Sequence, residues 1–544
     1  MTKMLDVKII PHRDYLMANT PDQKLFIELK LRANQAAALN FFSHKHQSAS
    51  SSENSALNNN SVNNSAASAS SLSIVFLVDT SGSMREIVLG SPLRTGKTQI
   101  IDGNTYDVVR GGDSKIDIII DGLKKIVESS KLKNRDMVRV SVVKFDDTAK
   151  VLLPFINIED KNKDTILKAV EDLRNYSGGT SMGAGLKTIL GYISKETGAN
   201  KKIIMLTDGQ TSDEDLVKET AFELAKEGIP VIAIGIGEDW NEELITFMTD
   251  KTQGKPFYAT TKISYDSTCG GKASCQTAKE DDGSTDNNSS NYENSSSNSN
   301  SNNNYNINGI GNNIAIKPSD IPEVMLKELE SAAGEMITGL SLNINTVKDV
   351  VIDRITRVYP EISEVDISIK PHSLGSISAK EDTIYILETT IPERSPMKTR
   401  LIQLGLAYNV SGANFRDENP PEDIVVEFTV DESKVSIVNQ EVMQWVQQRN
   451  VGGLLEKAIK EAASNPVTAA KTLDMARHVT VKLGNSAMTK LIDAAKNEIS
   501  ESKTISIDTL KTLRIGSKTK TVRINGTDGE NAFSDEQIRK LAGI

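Results

Sequence analysis

Three apolar runs constrain this chain more than any other feature. LSIVFLVD (residues 72–79) and KKIIMLTD (201–208) are hydrophobic stretches closed by aspartate, and IPVIAIGIG (229–237) is closed by glycine. A strand covered by helices on both faces reads this way, because neither row of side chains meets water. The covering helices are predicted at IDIIIDGLKKIVESS (116–130), KDTILKAVEDL (163–173), a run ending at Ser194, and EDLVKETAFELAKEG (214–228), each with apolar residues at helical spacing. MVRVSVVKF (137–145) alternates as a strand, and AKVLLPF (149–155) follows as its partner. Together these predict an α/β domain over 72–335 with a doubly wound, mostly parallel sheet.

Three segments interrupt or flank the alternation. Residues 43–71 are rich in Ser, Asn and Ala, and residues 266–313 in Ser, Asn, Gly and Asp. Neither has the apolar surface to offset its ordering entropy, so a linker and a disordered insertion are expected. Residues 85–114 form a further insertion beside the first strand. From 336 to 436 the period shortens to two, and segments such as LSLNINTV, VDISIK and DIVVEFTVD predict an antiparallel β-sandwich. The N-terminal strands DVKIIPHRDYLM and KLFIELKLRA (within 1–42) have no partner nearby and are expected to complete that sandwich. A helical region follows over 437–502, then a polar tail over 503–544.

The chemistry gathers at the strand ends. Asp79-Thr80-Ser81-Gly82-Ser83 follows the first strand, Ser177-Gly178-Gly179-Thr180 precedes a helix, and Thr207-Asp208-Gly209 follows the second long strand. In an open parallel sheet all three point into the crevice beyond the carboxyl ends of the strands. Two carboxylates and three hydroxyls are hard oxygen donors, suited to Mg²⁺, or to Mn²⁺ or Ca²⁺, and not to Zn²⁺ or Cu²⁺. Mg²⁺ tends to keep an open position, and a carboxylate from another molecule is its natural last ligand.

DTSGS with the separated Thr180 and Asp208 resembles the metal-ion-dependent adhesion site of von Willebrand factor A domains. The resemblance covers about 72–335 and implies that Asp79, Ser81, Ser83, Thr180 and Asp208 hold the ion, with an Asp or Glu of a protein partner completing its sphere. The surrounding sandwich and helices resemble intracellular and bacterial-type members of the family, not integrins or secreted matrix proteins.

Other signals carry less. SPLRTGKT (91–98) has Ser91 where a phosphate loop needs glycine and reads as a surface loop; Gly235-Ile236-Gly237 lacks the third glycine of a dinucleotide turn. His12, His44, His46, His372 and His478 adjoin no nucleophile motif, and Cys269 and Cys275 have no second pair for a zinc ribbon. Asp146, Asp147 and Glu238 read as loop carboxylates. Met443, Trp445 and Leu454 read as core or inter-helix contacts.

No catalytic residue emerges. The expected function is therefore a non-enzymatic, divalent-cation-dependent protein–protein interaction module; the alternatives are an adaptor of an AAA-type ATPase, which only the resemblance suggests, and a metal-dependent hydrolase. A net charge of −10 argues against nucleic acid as partner. No apolar run is long enough to span a membrane and no secretory leader is visible, so a cytoplasmic protein is expected. On that ground the acceptor-like triplet Asn59-Asn60-Ser61 reads as an accident of composition.

Overall fold

A computed structural model describes residues 3–34, 37, 72–129, 138–196, 200–237, 239–260, 316–410, 416–519 and 521–523. The tracts 43–71 and 266–313, with His44, His46, Cys269 and Cys275, lie outside these residues, as does Glu238.

The central sheet has six strands in the order Lys255–Ala259, Val231–Ile236, Asn200–Thr207, Leu72–Asp79, Val138–Phe145 and Ala149–Asn157. Every pairing is parallel except the last, where Val138–Phe145 meets its hairpin partner Ala149–Asn157. Leu72–Asp79 is buried along its whole length because it packs on both faces. Ile74, Phe76 and Val78 join a core with the helices Lys115–Glu128 and Ile321–Ala333. Val75 and Leu77, pointing the other way, join one with Met182–Ile193, Glu214–Lys226 and Glu242–Lys251. The period-two alternation of a strand thus feeds two helical layers.

Two five-stranded sheets form the sandwich. One runs Leu5–Pro11, Gln23–Ala33, Thr383–Ile391, Val351–Tyr359, Ser363–Val365, and the other His372–Ser378, Glu335–Thr346, Met397–Val410, Arg416–Thr429, Tyr15–Met17. Gln23–Ala33 lies between Leu5–Pro11 and Thr383–Ile391, paired antiparallel with both. The helix Gln440–Ser464 lays Val442, Met443, Trp445 and Val446 against the outer face of that sheet, on Phe26, Val358, Ile384 and Ile386. Leu454 packs with the helices Pro466–Lys482 and Ser486–Ser502.

The structure corrects three details of the sequence reading. Residues 91–98 are not a loop: they lie in Ile87–Ile101, paired with Asn104–Ser114 in a two-stranded hairpin that fills the 85–114 insertion. VDISIK is not a strand, because Asp366 folds back to accept from the Ser368 amide at 2.9 Å and turns the chain; His372–Ser378 pairs instead. Nor is the tail featureless. Ile507–Thr519 is a helix that buries Leu513 and Ile515 together with the polar Asp508, Thr509, Lys511 and Thr512.

Candidate metal centre

Asp79 ends a fully buried strand, and both its oxygens are engaged. The Ser81 amide donates to Oδ1 at 2.8 Å and the Thr207 hydroxyl to Oδ2 at 2.7 Å. The Ser81 and Ser83 hydroxyls stand 3.2 Å apart, and Ser83 donates to Asp208 Oδ1 at 2.9 Å. Neighbouring parallel strands bring the two aspartates side by side, although they lie far apart in the chain. The third segment arrives through backbone: the Gly82 amide donates to the Gly178 carbonyl at 3.0 Å, and Ser181 donates to the Asp146 carbonyl at 2.8 Å. Gly178 and Gly179 run so close to Asp147 that a Cβ on either would stand 2.5 Å from its carboxylate. A larger residue at either place would push the exposed Asp147 side chain aside.

Ser83, Thr180 and Asp208 line one open cavity of about 410 Å³, together with Glu86, Lys115 and Asp239. Asp79 and Ser81 are buried at this strand end, whereas Ser83 is exposed and Thr180 half-buried. The five sequence-derived residues therefore meet at one strand-end crevice. Asp79, Ser81, Ser83 and Asp208 are joined by hydrogen bonds, and Thr180 shares the cavity.

Sequence reasoning missed several residues here. Lys115 buries its side chain and donates from Nζ to Asp208 Oδ2 at 2.8 Å, while also contacting Glu86. Asp146 is the loop carboxylate expected after Val138–Phe145, but it is buried: it accepts from Lys144 and, at 3.0 Å, from Thr80, bracing the DTSGS turn from behind. Arg85 donates to the carbonyls of Arg174 and Tyr176 and lies over the Tyr106 ring, whose hydroxyl bonds Ser177. The hairpin thereby braces the Ser177–Thr180 loop. None of these had a local signature beyond the Ser114–Asp117 capping box, which fixes where the Lys115 helix begins.

The electrostatics fit a cation. Burial, with the charge of Asp208 added, pushes the Asp79 carboxyl up to about 7, against the hydrogen bonds from Ser81 and Thr207. Burial opposes the charge on Lys115, but hydrogen bonds to Asp208 and Glu86 outweigh it and hold its pKa above the ordinary lysine value. Two buried, adjacent carboxylates are costly without nearby positive charge. Among the described residues no group of three or more His, Cys, Asp or Glu converges, so this donor set is hydroxyl-rich with two carboxylates. Such hard oxygen donors suit Mg²⁺, Mn²⁺ or Ca²⁺.

An open α/β sheet with an oxygen-lined crevice at its carboxyl end defines the class, and comparison with known proteins gives the family. A family model described as von Willebrand factor type A domain matches residues 73–266. A second model with that description matches 428–523, residues that build the end of a sandwich strand and four long helices, not another parallel sheet. The human collagen alpha-6(VI) chain is 27% identical over 192 residues, 32% of this chain and 8% of its own length. The human collagen alpha-5(VI) chain is 29% identical over 116 residues, 20% and 4%. Mouse vitrin is 27% identical over 161 residues, 29% and 23%. The chain thus spans less than a quarter of the length of these curated relatives. Two solved structures follow nearly the whole fold: a von Willebrand factor type A protein from Catenulispora acidiphila (TM-score 0.64, 15% identity, 95% of this chain and 97% of that one) and the ArnB paralog VWA2 from Sulfolobus acidocaldarius (TM-score 0.50, 11% identity, 96% and 100%).

The chain contains a von Willebrand factor type A domain. Such domains mediate protein–protein interactions and commonly bind a divalent metal. The expected cytoplasmic location is overturned by the curated relatives. Collagen VI chains and vitrin are secreted extracellular-matrix proteins, and they point outside the cell. With that location falls the reason for setting aside Asn59-Asn60-Ser61, which lies outside the described residues. Among the described residues no helix is long and apolar enough to cross a membrane.

Proposed function

We propose that the chain is a non-enzymatic interaction module in which Asp79, Ser81, Ser83, Thr180 and Asp208 hold a divalent cation, Mg²⁺ foremost, and the cation takes an Asp or Glu carboxylate from a protein partner. One observation carries this reading: Ser83, Thr180 and Asp208, from three separate segments, line a single open cavity beside the buried Asp79. When bound, the ion supplies a positive centre with a free coordination position. The chain's own residues fix the donors: Thr207 and the Ser81 amide orient Asp79, and Arg85 and Tyr106 steady the loop that carries Thr180.

Partner capture from cell lysate and from conditioned medium, in Mg²⁺ and in EDTA, tests it with wild type beside an Asp79→Ala variant of matched melting temperature. A protein lost on both chelation and substitution supports the reading. Binding indifferent to both removes the metal bridge.

A further inference from the structure

Lys115 opens the helix Lys115–Glu128, yet its side chain turns inward and is only 3% exposed. Its ammonium holds Asp208 Oδ2 at 2.8 Å while Ser83 donates to the other oxygen. Space for the lysine comes from Gly237, at φ +88°, where a Cβ would stand 3.3 Å from both Cε and Nζ. The same ammonium touches Glu86, whose side chain is 63% exposed. A buried cation is thus built onto one of the two carboxylates assigned to the metal, and the lining of the site's cavity includes it.

We propose that Lys115 is a tethered monocation that keeps the site's affinity for a divalent ion alone low and makes the ion and a carboxylate bind as a pair. The inference rests on the metal-centre reading. Once an ion has displaced any proton on Asp79, Asp79 and Asp208 together carry two negative charges, which a dication alone would neutralise. With the ammonium retained, the ion-loaded crevice is left with one excess positive charge in a partly desolvated setting, where charge imbalance is expensive. A single carboxylate from the partner restores neutrality. Glu86 and Asp239, the other carboxylates lining the cavity, are both exposed and offset the excess only weakly. With a neutral side chain at 115 the ion by itself would balance the site, and the carboxylate would add less.

Mn²⁺ titration of the full chain, read by the electron paramagnetic resonance of free Mn²⁺, tests this. Wild type, Lys115→Met, Lys115→Arg and Asp79→Ala are compared at matched folding. If the Met variant melts early, Lys115→Gln takes its place, keeping a donor to Asp208 without the charge. The expected result is Mn²⁺ bound ~10-fold or more tightly by the neutral variant than by wild type, with Lys115→Arg close to wild type. Exchanging chloride for acetate at constant ionic strength is expected to tighten Mn²⁺ binding more in wild type than in the neutral variant. Equal Mn²⁺ affinity in wild type and the neutral variant, with Asp79→Ala weakened, overturns the role of Lys115 and leaves the metal centre standing. An equal acetate effect in both overturns the pairing. Absence of Mn²⁺ binding in all variants removes the metal centre and this inference with it.

Discussion

The Tyr258 hydroxyl donates to Asp508 at 2.6 Å, joining the edge strand of the α/β sheet to the helix Ile507–Thr519. The same helix donates from Lys511 to the Trp240 carbonyl at 3.1 Å and from Arg514 to Glu242 at 2.8 Å. Beyond its end, the Val522 amide reaches Gln448 of the long C-terminal helix and Arg523 reaches Asp382 of the sandwich. One short segment therefore touches all three parts of the molecule. Replacing Asp508 by Ala takes this acceptor from a buried phenol, with an expected loss of about 1 kcal/mol. Tyr258→Phe instead leaves the buried Asp508 carboxylate one donor short and should cost more. Urea denaturation of the two single variants and the double variant measures the coupling; additive losses would mean the contact contributes nothing.

Glu28 is fully buried on the strand Gln23–Ala33, and neither of its oxygens has a hydrogen-bond partner among the described residues. Burial first, then the negative charge of Glu441, pushes its carboxyl from 4.5 up to about 7, against the pull of Lys30 and Lys8. The folded chain therefore keeps this proton where the unfolded chain has released it. Its stabilising effect is complete below pH 4.5 and is lost as pH rises through about 7, on the order of 3 kcal/mol in all. Glu28→Gln should raise the melting temperature at pH 8, change it little at pH 4, and flatten the profile between. Parallel pH profiles for the two proteins would contradict this.

Gly235 lies beneath the indole of Trp240, where a Cβ would stand 2.4 Å from ring carbons. Both residues are buried, so the ring cannot move aside without opening the core it shares with Ile245 and Tyr258. Gly235→Ala is expected to destabilise by about 1–3 kcal/mol. Because Asp239 precedes Trp240 and lines the cavity proposed to hold the ion, the variant should also weaken Mn²⁺ binding. Calorimetry and Mn²⁺ titration on one preparation read both effects, and unchanged melting would contradict the packing argument.

If the crevice holds a divalent ion, folding and ion binding are linked. Saturating Mg²⁺ should raise the wild-type melting temperature, by the equivalent of about 2.7 kcal/mol at a hundredfold excess over the dissociation constant. In Asp79→Asn the increment should vanish, since the amide cannot supply the second negative charge. Scanning calorimetry in Mg²⁺ and in EDTA decides it.

The sequence shows the central sheet because strands buried on both faces have no choice but to be apolar throughout. Asp79 and Asp208 stand out as the charges that end such runs, and the hydroxyls of Ser81, Ser83 and Thr180 stand out only through their order along the chain. The hairpin Ile87–Ile101 and Asn104–Ser114 was illegible for the opposite reason: most of it faces water, so no burial pattern marks its strands. The helix Ile507–Thr519 was hidden because it buries Asp508, Thr509, Lys511 and Thr512 through hydrogen bonds, and polar burial leaves no hydrophobic stripe. Lys115 could not be foreseen either. Its direction depends on where the hairpin returns the chain and on the empty place at Gly237, both tertiary facts.

Gln23–Ala33 is held along its length by Thr383–Ile391, so the α/β domain is looped out between two strands of one sheet. Tension applied to the chain before Gln23 and after Ile391 acts at one end of this antiparallel pair, so it is borne by opening the ladder pair by pair, which must yield before the domain between them feels any pull. The crevice at Asp79 and Asp208 sits mechanically in parallel with the load, not in series, and would keep its shape while the chain around it is under strain.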